Sequence, residues 1–470
     1  MVSVDPFHSG IESLFRRAVE ARRKNLEIVG TSDVTGLAAF LASSHLSHED
    51  YFSHLVVVVD NDAAQRFKED ISFFAPDVPC PVLQTFDVSP YSGLFPNSRN
   101  ISSRISWLHA ALKSSSGSIF VSPLSSLFQK TLPKKVFLEN ILQITCGSSL
   151  PAGIAEILGN IGYFSTPLVE DVGHFSVRGG ILDVFSPAHE RPVRIELFGD
   201  IVDSLRFFNP ETQRTIGPCE AANIVPAREI VFNSDTRQRA ATAMKKSCEL
   251  RGVPKKQYEG ALQQLARGEF FNGVDYLVSG FYESLATPIS YFERPLCVWL
   301  LDSMGLMRAE DDFLAMLKSE SRLAAAEPIY PDPADLYHPQ MSMFDDHTVV
   351  RLSKIKVGDS DNSQDALANV VYRSQPVLPG PKNSGQNNAK VATQLIRDWK
   401  TQGYQVFISA PSPVKRQRLK GLFQDSEINL RLLEESDFQW NLFSQEQSEN
   451  AGLVHVLPRS ISQNYHFQEE

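Results

Sequence analysis

"LEIVGTSDVTGLAAFLASSHL", residues 26–46, runs from an apolar strand-like stretch through Gly30 and Gly36 into a helix-like apolar pattern. Strand, glycine-bearing turn and helix in this order open a parallel α/β sheet, and they also open a nucleotide-binding P-loop. A working P-loop needs glycines that turn backbone N–H groups toward phosphates, a Lys for the β- and γ-phosphates, and a Ser or Thr for Mg²⁺. Here the two glycines are one residue too far apart for GxxxxGK[ST], and Leu37 and Ala38 stand where the Lys and the hydroxyl belong. The helix N-terminus alone would hold an anion only weakly. The sequence therefore predicts the fold of a nucleotide site without its chemistry, with Gly36, Leu37 and Ala38 as its remnant.

The other half of such a site is a strand ending in Asp, usually followed by Glu. "CVWLLDSMG" supplies the strand and Asp302, and Ser303 takes the place of the acidic partner. Many buried strands end in Asp without function, so Asp302 alone carries little weight. Two degenerate halves in one chain point to an NTPase fold kept for its shape.

Outward from these stretches the pattern is α/β. "HLVVVVD" (54–60) is a β-branched run suited to a strand covered on both faces. Helices are expected at 10–24, 36–46, 63–74 and 102–112, and a strand followed by a helix at 117–129. Residues 1–138 thus form the first part of a degenerate NTPase-like α/β domain. Residues 139–223 read as an inserted β-rich domain: after a helix at 153–158, successive strands with turn residues between them form an antiparallel meander. Residues 224–330 return to the α/β domain, with a helix in "KKQYEGALQQLARGEF", the strand at 295–302 and a long helix beyond it. Residues 331–388 read as a linker, its Gly, Ser, Asn, Asp and Pro densest at 355–389. Residues 389–470 form a small α/β domain without a closing element, as expected of a piece of a longer protein.

Within the insertion, "VRIELF" (193–198) alternates strictly. Val193, Ile195 and Leu197 face the core; Arg194, Glu196 and Phe198 face away. A large aromatic among charges on the wet side is either an incidental exposure or part of a docking patch, where Phe and Arg are enriched. Upstream, "SVRGGILDVF" places Arg178 before a Gly-Gly pair, which marks a bulge or a close backbone approach. If these strands are neighbours, Arg178 shares the surface of Arg194.

The 470 residues carry 45 Lys and Arg against 55 Asp and Glu, a formal net charge of −10. Wholesale nonspecific nucleic-acid binding is disfavoured, since it runs on cations neutralising phosphates. The five cysteines are scattered without CxxC spacing, so neither a disulfide framework nor a zinc site is expected. No histidine motif has metal-ligand spacing and no Ser or Cys sits in a nucleophile motif, so no catalytic residue, metal or cofactor is assigned. The basic clusters 16–25 and 414–420 read first as solvated helix faces, and Glu310, Asp311 and Asp312 as helix surface. No signal peptide or membrane-length apolar run is visible, and the expected location is the cytoplasm.

"SVRGGILDVFSP", "RPVRIELFGDIVDSLRFFNPETQRT", "NISSRISWLHAAL", "IFVSPLSSLFQKTLP" and "VDYLVSGFYESLATPISYF" together resemble a segment shared by bacterial transcription-repair coupling factors and the UvrB subunit of the excision nuclease. The similarity covers about residues 10–325 and is densest at 174–225. UvrB keeps an intact P-loop and an Asp-Glu pair, whereas this chain has Leu37, Ala38 and Ser303. The resemblance is therefore closer to the nucleotide-free, UvrB-like region of a coupling factor, with a UvrB-type ATP-dependent repair helicase as the alternative. It implies a non-catalytic recruitment module whose inserted domain binds UvrA through Arg178, Arg194 and Phe198. It further implies RNA polymerase and double-stranded DNA as partners of the parent protein, itself an ATP-driven translocase. No membrane partner and a monomeric fragment are expected.

Overall fold

The computed structural model describes residues 25–29, 34–47, 52–86, 88, 96–324, 331–353, 385–402, 406–424, 428–434 and 453–462. Its strands, in chain order, are β1 (Asn25–Val29), β2 (Ser53–Val58), β3 (Ile119–Pro123), β4 (Leu142–Thr145), β5 (Phe164–Ser165), β6 (His174–Arg178), β7 (Ile181–Val184) and β8 (Val193–Phe198). There follow β9 (Ile201–Phe208), β10 (Thr215–Pro218), β11 (Ala221–Ile224), β12 (Leu296–Leu301), β13 (Thr348–Ser353), β14 (Val406–Ser409), β15 (Asn429–Leu432) and β16 (Leu453–Leu457).

A five-stranded, all-parallel sheet has the order β1-β13-β12-β2-β3. Every residue of β2 and β12 is buried, as their continuous apolar runs require of strands covered on both faces. One face packs against helices Val34–Ser47 and Asn61–Phe74, the other against Ser98–Leu112 and Ser303–Ala324. Two of these helices, Asn61–Phe74 and Ser98–Leu112, start where the sequence supplies caps. Asp60 accepts from the Ala63 N–H at 2.7 Å and Asn97 from the Arg99 N–H at 2.9 Å.

Mixed α/β architecture is thus borne out, with one correction to its limits. Residues 331–353, read as linker, carry a short helix, Pro333–Leu336, and β13, which lies between β1 and β12. The parallel sheet draws a strand from beyond residue 330. Residues 354–384 lie outside the described part, as does the helix expected at 10–24.

The insertion leaves and rejoins the α/β domain through an antiparallel ribbon of β4 and β11. It carries a six-stranded sheet, β10-β9-β8-β7-β6-β5. All pairs are antiparallel except β5 with β6, so the expected meander is interrupted at that edge. The inner face buries Phe175, Leu182, Val184, Val193, Ile195 and Leu205 against helix Ile154–Asn160 and β11. At the joint, Arg228 pairs with Asp275 at 2.6 Å and lies against the rings of Phe164 and Phe270, 5.0 and 5.2 Å from their centroids. Gly162 (φ +96°) permits this approach, because a Cβ there would stand 2.9 Å from the Arg228 Cβ.

The C-terminal unit has a parallel sheet, β14-β16-β15, with helices Gly385–Thr401 and Pro413–Leu422. Leu433, Leu457 and Ile461 join the apolar cluster around helix Asn61–Phe74. Buried Asp70 accepts hydrogen bonds from Thr35 Oγ1 and from the Ser462 backbone N–H. Of the basic run 414–420, Arg416 is buried on Glu434 and on the Ala410 and Pro411 carbonyls, while Lys415, Arg418 and Lys420 are solvated. The other basic run lies almost wholly outside the described residues.

Candidate docking face of the inserted sheet

Strand register assembles the outer face. Ser176, Asp183, Arg194 and Arg206 form one row across β6 to β9, and Arg178, Ile181, Glu196 and Ser204 form the next. Arg178 and Arg194 therefore share a surface, as the alternation implied. The β6–β7 hairpin turns at Gly179-Gly180 and the β8–β9 hairpin at Gly199-Asp200, both at the same end of the sheet. The Gly-Gly pair is a two-residue turn rather than a bulge in a strand; Gly179 takes φ +57°, which such turns favour. The close approach is real: a Cβ on Gly180 would lie 3.0 Å from the Leu197 carbonyl oxygen.

Phe198 stands at this turn end with 83% of its surface exposed, beside Ile201 at 53%. Leaving a Phe in water forgoes about 1.5–3 kcal/mol of burial, which a covering partner would recover. The bulge in the β8–β9 pairing places the extra residue, Asp203, on β9. The alternation of β8 thus continues unbroken to Phe198, while the ladder bends beneath the tip.

The arginines are already engaged. Asp183, missed in the sequence reading, is buried on β7 between them. Arg194 binds it through both ends of its fork, Nε to Oδ1 at 2.7 Å and Nη2 to Oδ2 at 2.9 Å. Arg178 Nη2 donates to Oδ2 at 2.7 Å. Arg194 also lies 4.7 Å from the Phe208 ring centroid, and its pKa is raised, first by the Asp183 hydrogen bond and against the cost of burial. Glu196, whose partner the sequence left open, accepts from Arg206 at 2.6 Å and from Ser204 at 2.9 Å. Asp183 stands in "ILDVF" on the outward register of β7, between the two arginine-bearing strands β6 and β8. A second small cluster, Val169, Phe185 and Phe208, covers the other end of the face, while the turn end is open.

The residues expected to be a nucleotide-site remnant fall in the α/β domain, on helices beside the parallel sheet and at the end of β12. β1 and β12 are separated by β13, and register sets Val29 and Leu301 beside Ser353 and Leu352. The two strand ends are level and about 9–10 Å apart. Gly30 lies outside the described residues. Gly36, Leu37 and Ala38 belong to helix Val34–Ser47, and Leu37 and Ala38 are buried in the core. Asp302 takes φ +59°, and its Oδ1 accepts the Gly305 N–H at 3.1 Å. Its carboxylate thus caps helix Ser303–Ala324, a structural role that needs no nucleotide. The Ser303 hydroxyl is buried with no hydrogen-bond partner among the described residues. Glu310 is more than helix surface, since it accepts the Met341 N–H at 3.1 Å. Among the described residues there is no group of metal-binding side chains, and no helix is long and apolar enough to cross a membrane.

Residues 142–230 match the family described as the UvrB interaction domain. The chain is 33% identical over 285 residues to the transcription-repair-coupling factor of Myxococcus xanthus, covering 57% of this chain and 24% of that protein. Similar matches reach the factors of Haemophilus influenzae (29% over 253 residues, 53% and 22%) and Escherichia coli (26% over 301 residues, 64% and 26%). The resemblance read from the sequence is borne out. The chain spans about a quarter of the length of these relatives.

Proposed function

From a UvrB interaction domain in a chain related to transcription-repair-coupling factors, we propose that the inserted sheet docks UvrA and that this region is a non-catalytic recruitment module for nucleotide excision repair. The observation that carries this reading is Phe198, 83% exposed at the turn end of the outer face, with Arg178 on the same face and at the same end, two strands away. The α/β domain serves as the platform: a P-loop-like frame whose Leu37 and Ala38 have become core and whose Asp302 has become a helix cap. No cofactor is assigned to it. Delivery of UvrA to a stalled RNA polymerase, and translocation on double-stranded DNA, would belong to the parent protein in the cytoplasm.

The test is a calorimetric titration of the chain with UvrA. Phe198→Ala and Arg178→Ala are expected each to cost about 1–4 kcal/mol of binding with the fold intact. Arg194→Glu is a poorer probe, because it sets a second carboxylate against buried Asp183. Unchanged affinity in both alanine variants would overturn the assignment.

A further inference from the structure

We infer that Asp183 is a positioning residue that aims Arg178 at a carboxylate-bearing surface of the partner. The inference rests on the docking reading above. Its starting point is an imbalance of charge. The Asp183 side chain is 1% exposed and needs a counter-charge. Arg194 supplies one in full, with two bonds to the carboxylate, a side chain 20% exposed, and a further bond to the Gln213 carbonyl at 3.4 Å. Arg178 then adds a second guanidinium to a carboxylate that one already neutralises. Glu196 does not supply the missing negative charge, since it is bonded to Arg206 and Ser204.

The two arginines therefore play different parts. Arg194 is the wall and Arg178 the probe. Arg178 is tethered by Nη2 to Asp183, its side chain is 49% exposed, and it closes the β6–β7 hairpin at the end of the sheet where Phe198 stands. A long side chain held before encounter loses less freedom on binding than a loose one. Its surplus positive charge selects an acidic contact, and its planar fork suits a carboxylate better than a lysine would.

The experiment is the UvrA titration with Asp183→Asn, Arg178→Ala and the double variant, each checked by thermal melting. Asp183→Asn is expected to weaken binding about tenfold. In the Arg178→Ala background the same change should move Kd by less than about twofold, because the residue acts through Arg178. Equal losses in both backgrounds would mark a merely structural role and overturn the inference. So would wild-type affinity of Asp183→Asn beside a weakened Arg178→Ala, with the docking reading left standing. If Arg178→Ala and Phe198→Ala both bind as wild type, the docking reading falls and takes the inference with it. Should Asp183→Asn not fold, Arg194→Leu is compared with Asp183→Leu/Arg194→Leu, which removes the ion pair as a unit. The double variant must bind more weakly than Arg194→Leu; equal affinity overturns the proposal.

Discussion

Arg104 donates Nε to Glu229 at 2.7 Å, with both side chains buried, and its other nitrogens reach the Gln84, Ser126 and Gln129 carbonyls. This single side chain ties helix Ser98–Leu112 to the chain leaving the insertion. Removing one partner leaves a buried charge uncompensated, so Arg104→Ala or Glu229→Ala should cost about 3–5 kcal/mol in urea unfolding. Replacing both by apolar residues of similar size should cost less. Pairings of this kind were not legible. Alternation in "VRIELF" gave the faces of Arg194, Glu196 and Phe198, because side-chain direction is local. It could not give Asp183 for Arg194 or Arg206 for Glu196, because those depend on lateral register across three strands. The capping bond of Asp302 and its left-handed backbone appear only in three dimensions.

At the level of elements, long periodic runs were read well. The strands at 53–58 and 296–301 and the helices at 61–74 and 98–112 stand within a few residues of expectation. β13 was missed because "TVVRLS" is a short run behind a stretch of loop composition, and its place in the sheet is set by neighbours far away in sequence. The joint between helix Ser98–Leu112 and the insertion carries a pH dependence. His109 is held down to about 4 from an ordinary 6.5, first by burial, then by Lys113 and His189; burial also lowers His189. The His109 Nε2 has no hydrogen-bond partner among the described residues. Between these two values the unfolded chain binds protons that the folded chain does not, so stability should fall as pH drops from 6.5 toward 4. Melting temperatures across this window should decline, and His109→Gln should flatten the decline; an unchanged slope would show that the strain lies elsewhere.

The whole molecule separates platform from tool. In the parallel sheet the ends of β1 and β12 are level with β13 between them, and Leu37 and Ala38, which stand where a P-loop would carry its Lys and hydroxyl, are buried. Titration with labelled ATP and Mg²⁺ should accordingly show no saturable binding with Kd below about 1 mM. Chemistry-bearing positions instead gather on the inserted sheet, whose outer face is closed at one end by Val169, Phe185 and Phe208 and open at the other. The central claim is that this open end is where UvrA docks. Its most direct test is calorimetric titration of UvrA into the wild-type chain and into Phe198→Ala. Saturable binding by the wild type, weakened at least about fivefold in a variant with an unchanged melting temperature, is the predicted result. Equal affinity in the two proteins, or no binding by the wild type, would contradict it.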